Sequence, residues 1–179
     1  ILSQHHSTRE RLPYIETFFQ FLFSRIEQPT AVLDLACGLN PIALSYVDIP
    51  KGLTYFAYDL HQQRINFINT FFKTISISAK AVWQDIIVNP PTRSASAAFL
   101  FKEAHRIEKR EKGETRKLLI SLNVPFIYLS LPTRSMNGYY DLRPRMNALV
   151  NKICEGIGVI EHSEEFPAEI VYEIRRIHE

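Results

Sequence analysis

The stretch Ala31-Val32-Leu33-Asp34-Leu35-Ala36-Cys37-Gly38-Leu39-Asn40-Pro41 decides the fold. An apolar, β-prone run ends in a turn of small residues. Asn40 and Pro41 then offer an N-cap and a first helical position. A strand that feeds a glycine turn opening a helix leaves backbone N–H groups bare at the helix start, which suits a nucleotide-like ligand. A second apolar run, Leu53 to Tyr58, ends at Asp59, twenty-one positions after Gly38. A carboxylate there can accept both hydroxyls of a ribose. The turn holds one glycine rather than three, so no pyrophosphate needs to lie against it. Together these features point to a pocket for S-adenosylmethionine (SAM).

Working outward, Pro13 suits the first turn of an amphipathic helix over 13–27, and Ser7-Thr8-Arg9-Glu10 before it has capping-box spacing. The run Phe18 to Phe23 is short and broken by Gln20, so it is one buried helix face rather than a membrane span. Strands are expected at 31–36, 53–58, 79–84, 95–101 and 125–131. Helices are expected at 41–47, 61–74, 103–121 and 143–155. Gly113 weakens the long basic helix by about 1 kcal/mol and allows a loop there. Strands at 158–165 and 169–176 have no long helix between them and should be antiparallel neighbours. Strands alternating with helices give a parallel sheet covered on both faces. The expected fold is therefore α/β: the Rossmann-like class I SAM-dependent methyltransferase fold, a mostly parallel seven-stranded sheet with a terminal antiparallel hairpin. Residues 1–30 form an N-terminal helical segment and 31–179 the SAM-binding domain.

The 179 residues are enough for one sizeable core, and 46% hydrophobic with 22% charged residues marks a globular chain. No metal motif is visible, and two distant cysteines, Cys37 and Cys154, fit a reducing cytoplasm. Cys37 is expected to be a small packed residue rather than a reactive thiol. Residue 1 is Ile, so the natural N-terminus is expected to be missing. The net charge of +2 decides nothing, but basic residues crowd 105–117 and recur at Arg134, Arg143 and Arg145. Each group is either a solvated face or a phosphate-binding surface. Asn89-Pro90-Pro91-Thr92 resembles an amino-methyltransferase motif but precedes the fourth strand and lacks the aromatic residue, so it reads as a turn.

The sulfonium cofactor makes four demands. Ala36-Cys37-Gly38 lets the backbone approach the methionyl part. Asp59 addresses the ribose. Asp85, closing the third strand, can accept from the adenine amine, with Ile86 donating its backbone N–H. Arg9 or Arg11 offers a fork for the methionyl carboxylate.

The run His5-His6-Ser7-Thr8-Arg9-Glu10-Arg11-Leu12-Pro13 resembles the HxSTRERLP signature of the aminoglycoside-resistance 16S rRNA methyltransferases of the FmrO type. Val32 to Pro41 resembles that family's VLDLACGLNP turn. Phe99-Leu100-Phe101-Lys102, Leu131-Pro132-Thr133-Arg134-Ser135 and Glu169 to Ile174 resemble its fourth strand, PTRS segment and final strand. The resemblance implies methyl transfer from SAM to N7 of a guanine, nucleotide 1405, in the decoding site of 16S rRNA, yielding S-adenosylhomocysteine and aminoglycoside resistance. The implied partner is the 30S subunit, with a monomeric enzyme and no membrane. It also implies that Arg9, Ala36, Gly38, Asp59, Asp85, Ile86 and Lys102 line the cofactor pocket or its mouth, with Lys102 positioning the reactants. N7 has a free lone pair, so no general base is needed. Arg134, Arg143 and Arg145 are candidates for rRNA phosphates, and Tyr139 and Tyr140 for stacking on a flipped base. The family's N-terminal rRNA-binding extension is expected to be absent from this chain, and the loop Met136 to Asp141 departs from the family's Gly-rich, basic one. The rival readings are a methyltransferase of another RNA or small molecule, and a non-catalytic ribosome-binding protein.

Overall fold

The computed structural model describes residues 6–27, 29–75, 77–135 and 138–177, with the side chains of residues 6–8 left out. The described residues build seven strands: β1 (Ala31–Leu35), β2 (Thr54–Asp59), β3 (Ser78–Trp83), β4 (Ala97–Phe101), β5 (Phe126–Pro132), β6 (Gly158–Phe166) and β7 (Glu169–Arg176). They form one sheet in the order β3-β2-β1-β4-β5-β7-β6. The first five are parallel, while β7 runs antiparallel to both β5 and β6. This is the methyltransferase architecture expected from the alternation of elements. From β1 the chain steps outward to β2 and β3, then returns to place β4 on β1's other side. That reversal opens a crevice at the carboxyl ends of β1 and β4.

Among the described residues six α-helices accompany the sheet: α1 (His6–Arg11), α2 (Ile15–Arg25), α3 (Gln62–Phe72), α4 (Ala104–Arg110), α5 (Glu114–Ser121) and α6 (Arg143–Cys154). On one face Phe18, Phe19 and Leu22 of α2 and Ile65 and Ile68 of α3 pack with Val32, Tyr55 and Phe99. On the other, Leu118, Leu119, Met146 and Val150 pack with Leu33, Leu35, Leu100 and Leu129. β1 is buried at all five positions because both its faces are covered, which is why it reads as an apolar run rather than an alternating one, interrupted by Asp34 alone. β6 alternates instead, as an edge strand with one wet face does. Among the described residues no helix is long and apolar enough to cross a membrane.

Several elements differ from the sequence expectation. The helix expected over 13–27 is preceded by α1 and a 3-10 turn, Leu12–Tyr14, in which Pro13 sits. His5 of the signature and the loop residues Met136 and Asn137 lie outside the described residues, as does the Ser7 side chain of the expected capping box. The fourth strand starts two residues late, at Ala97. The helix expected at 103–121 breaks into α4 and α5 at Gly113, whose φ of 89° is left-handed. The Glu108 carboxylate crosses the break and accepts from the Gly113 and Thr115 N–H groups at 2.9 and 3.0 Å. It thereby satisfies donors that an uninterrupted helix would have bonded internally.

Candidate active site

At the end of β1 the chain reverses through Ala36 and Gly38, with φ of 50° and 56°. Cys37 N–H donates to Tyr58 O at 2.9 Å, pinning the turn to β2. Gly38 N–H donates to Asp59 Oδ2 at 3.0 Å. Two of the N–H groups expected to be bare are therefore engaged by β2. Asn40 is not the N-cap either. Leu39 holds that place, and a 3-10 helix runs from Asn40 to Tyr46. The Asn40 amide is buried. It donates to Asp34 Oδ2 at 3.0 Å and accepts from Arg11 Nη1 at 2.8 Å. An amide is suited to this because it can face an anion and a cation at once.

Asp59, at the end of β2, is 5% exposed. Its Oδ1 accepts from His61 N–H at 2.9 Å, and its Oδ2 from Arg64 at 2.7 Å as well as from Gly38. It stands where two cavities meet. The larger, about 680 Å³, is polar and reaches Arg11, Asp34 and Lys102. The smaller, about 230 Å³, has apolar walls from Ile86, Ile87, Val88 and Ile107. Ala36, Asp59, Leu60, Glu103 and Arg110 belong to both, so the two form one bent crevice at the carboxyl edge of the sheet. Asp85 and buried Ile86 line the smaller arm. Asp85 is exposed, and its Oδ1 folds back to accept from Ile87 and Val88 N–H groups at 2.9 and 3.3 Å. The crevice thus brings together Arg11, Ala36, Gly38, Asp59, Asp85, Ile86 and Lys102. Arg9 is exposed and does not line it.

Arg11 is 2% exposed and forms a fork on Glu169: Nε to Oε1 at 2.9 Å and Nη2 to Oε2 at 2.7 Å. Its guanidinium also lies 4.2 Å from the centre of the Phe18 ring. Tyr14 hydroxyl donates to Glu169 Oε1 at 3.1 Å. Burial alone would raise the Glu169 pKa, but Arg11 and then Lys102 hold it below the usual carboxylate range. Lys102 follows β4 in a left-handed conformation, φ 54°, that its backbone N–H supports by donating to Ser130 O at 2.9 Å. Its Nζ donates to Glu10 Oε2 at 2.8 Å and lies 3.9 Å from Glu169 Oε1. Asp34 is pushed up to about 6 by burial, against hydrogen bonds from Asn40 and from Tyr55 at 2.6 Å.

Sequence reasoning assigned no role to Asp34, Glu169 or Glu103, and gave Asn40 only that of a helix cap. Asp34 carried a signal: an acid inside an apolar strand must find buried partners. Glu103 lines both arms, accepts from Arg110 at 3.0 Å, and has a raised pKa, chiefly through burial. Of the basic segment 105–117, Arg106, Lys109 and Arg110 reach the mouth of the larger arm. Arg116 instead donates to the carbonyls of Ile153 and Glu155, and Lys117 pairs with Glu114. Asn89–Thr92 lies in the β3–β4 connection and lines neither arm.

Beyond Lys102 a third cavity, about 280 Å³, is lined by Glu10, Lys102, His105, Arg134 and Leu142 among others. Tyr139 and Tyr140, next to it in sequence, are 84% and 68% exposed. Arg143 does not stand free: it pairs with Asp141 at 3.1 Å and donates from Nε to Glu165 at 3.0 Å. Arg145 is exposed on α6. His105 is buried enough, and close enough to Arg106 and Lys102, that its pKa falls to about 4.

Comparison with known proteins adds a family to this geometry. The family model described as ribosomal RNA methyltransferase (FmrO) matches residues 1–163. A 16S rRNA (guanine(1405)-N(7))-methyltransferase of Serratia marcescens is 38% identical over 138 residues, 76% of this chain and 53% of the relative. The chain spans about half the length of the curated relatives it matches. The crystal structure of an rRNA methylase from Escherichia coli superposes with a TM-score of 0.83 at 32% identity, covering 98% of this chain and 69% of that one. That of 16S rRNA methyltransferase RmtF in complex with S-adenosyl-L-homocysteine gives 0.88 at 28% identity, covering 98% and 67%. The signature segments, the sheet order and the crevice at its switch point therefore converge, and the chain belongs to the FmrO family of ribosomal RNA methyltransferases.

Proposed function

We propose that this chain carries the catalytic domain of an enzyme that transfers a methyl group from SAM to N7 of a guanine in 16S rRNA, nucleotide 1405 by its relatives' names, within the 30S subunit. It acts in the cytoplasm as a monomer and confers aminoglycoside resistance. The observation that carries this reading is Asp59, a buried carboxylate shared by a polar and an apolar arm of one crevice, in a chain of this family. The arms fit the cofactor's chemistry. Asp59 would hold the ribose hydroxyls. Ile86 and Ile107 would flank the adenine, with Asp85 at the rim. Three of the five N–H donors of Arg11 are used by Glu169 and Asn40, which leaves two for the methionyl carboxylate.

Bound SAM supplies an electrophilic methyl group on a positively charged sulfur. The N7 lone pair would take that methyl group, with the electron pair of the carbon–sulfur bond kept by sulfur and no proton to move. The protein's task is then positioning and exclusion of water. Arg134, Arg145 and the α4 cations Arg106 and Lys109 hold rRNA phosphates, and Tyr139 and Tyr140 stack on unpaired bases.

The test has two parts. Calorimetry with S-adenosylhomocysteine should give a micromolar dissociation constant, and absence of heat rejects the enzyme reading. Labelled SAM should then mark 30S subunits, and reductive cleavage at N7-methylguanine should map the mark to the decoding site. Label confined to tRNA or to a small molecule rejects the rRNA substrate.

A further inference from the structure

Lys102 stands between two spaces. It lines the polar arm of the crevice and also the third cavity, which opens beyond the ends of β4 and β5. Its side chain is 6% exposed, its backbone is held left-handed, and Glu10 and Glu169 tether its ammonium from one side. The third cavity has apolar surface from Pro132, Leu142 and Pro167 and is of a size for one planar base rather than a whole nucleoside cofactor. His105 also lines it.

Resting on the guanine-N7 reading above, we propose that the third cavity receives the acceptor base and that Lys102 Nζ donates to guanine O6, making Lys102 the residue that selects guanine over adenine. The Hoogsteen edge of guanine presents two acceptors, N7 and O6, whereas adenine presents an acceptor and an amine donor. An ammonium can only donate. It rewards O6 and opposes the adenine amine, and by taking O6 it leaves the N7 lone pair free to react. The two carboxylates beside it matter for the same reason. Methylation at N7 turns a neutral base into a cation, and a lone ammonium at O6 would resist that. Glu10 and Glu169 offset the charges of Lys102 and Arg11, so the lysine offers a donor whose own charge is paired. Arg106 and Arg134, which also line this cavity, face the phosphate of the nucleotide rather than its base.

The test uses the whole chain saturated with S-adenosylhomocysteine and reads binding of three free nucleotides by saturation-transfer NMR. The probes are guanosine, inosine and 2-aminopurine riboside 5′-monophosphates, of which the last lacks O6. Guanosine and inosine monophosphates should bind alike and at least fivefold more tightly than the 2-aminopurine analogue. Lys102→Met should erase that difference. Should that variant fail to fold, Leu142→Trp, which fills the cavity, should abolish nucleotide binding while heat with S-adenosylhomocysteine persists. Equal affinities for all three nucleotides, no nucleotide signal at all, or discrimination that survives Lys102→Met overturns the proposal. Loss of cofactor-product binding by the unmodified protein would instead overturn the methyltransferase reading itself.

Discussion

Arg11 of α1 and Glu169 of β7 lie 158 positions apart in sequence and form a two-pronged ion pair that is almost wholly buried. The pair ties the N-terminal signature segment to the last strand, and through Asn40 to the turn after β1. Removing one partner of such a pair leaves an uncompensated charge and costs about 3–5 kcal/mol. Glu169→Ala should lower stability in urea by that amount. The double variant Arg11→Met with Glu169→Leu should recover most of the loss, because it removes both desolvated charges. Equal losses in the single and double variants would show that the pair contributes by packing alone.

Asp59 and Asp85 should differ in their effect on ligand binding. Asp59 is buried and belongs to both arms of the crevice, whereas Asp85 is exposed and keeps one oxygen on its own loop. Hydrogen bonds to a charged group are worth about 1.5–3 kcal/mol. Asp59→Asn should weaken S-adenosylhomocysteine binding by about tenfold or more. Asp85→Asn should weaken it by only about two- to fivefold. Calorimetry on the two variants, with a thermal melt to confirm folding, checks the order.

Asp34 makes stability depend on pH. Burial raises its native pKa to about 6, above its ordinary value of 3.8. An acid shifted upward binds its proton more tightly when folded. The stability it confers is full below about pH 4 and lost as pH rises through about 6. A shift of this size corresponds to about 2–3 kcal/mol. His105, depressed to about 4, works the opposite way and loses stability as pH falls from 6.5. The difference in stability between the unmodified protein and Asp34→Asn isolates the first effect. It should move against the unmodified protein between pH 4 and 6. A flat difference would mean that Asp34 titrates normally.

The thiol of Cys37 is buried, and burial together with Asp34 and Asp59 holds its pKa well above the ordinary thiol value. Only the thiolate is nucleophilic. Iodoacetamide at pH 8 should therefore leave Cys37 unmodified in the folded protein and label it in urea. Rapid labelling of the native protein, located by peptide mass spectrometry, would overturn this.

Gly113 separates α4 from α5 at a φ of 89°. A side chain there costs about 1–2 kcal/mol in the left-handed region. Gly113→Ala should destabilise the protein by that amount, although alanine is the better helix former. A stabilised variant would mean that the two helices can fuse.

The sequence by itself determined the sheet. Apolar runs such as 31–35 and 97–101 can be buried only between two layers of helices, and their alternation with helical segments makes the strands parallel. It also placed Asp59 and Asp85 beside strand ends, because a polar residue closing an apolar run marks where the strand leaves the core. What lay beyond it was the pairing of distant charges. The fork of Arg11 on Glu169, the use of Asn40 as a link rather than a cap, and the hold of Glu10 on Lys102 join residues whose spacing carries no local pattern. Secondary structure follows from neighbours a few residues apart, whereas buried ions choose partners only once packing has excluded water. The tertiary structure therefore decided which of the many cations face the crevice and which, like Arg116, hold the scaffold together.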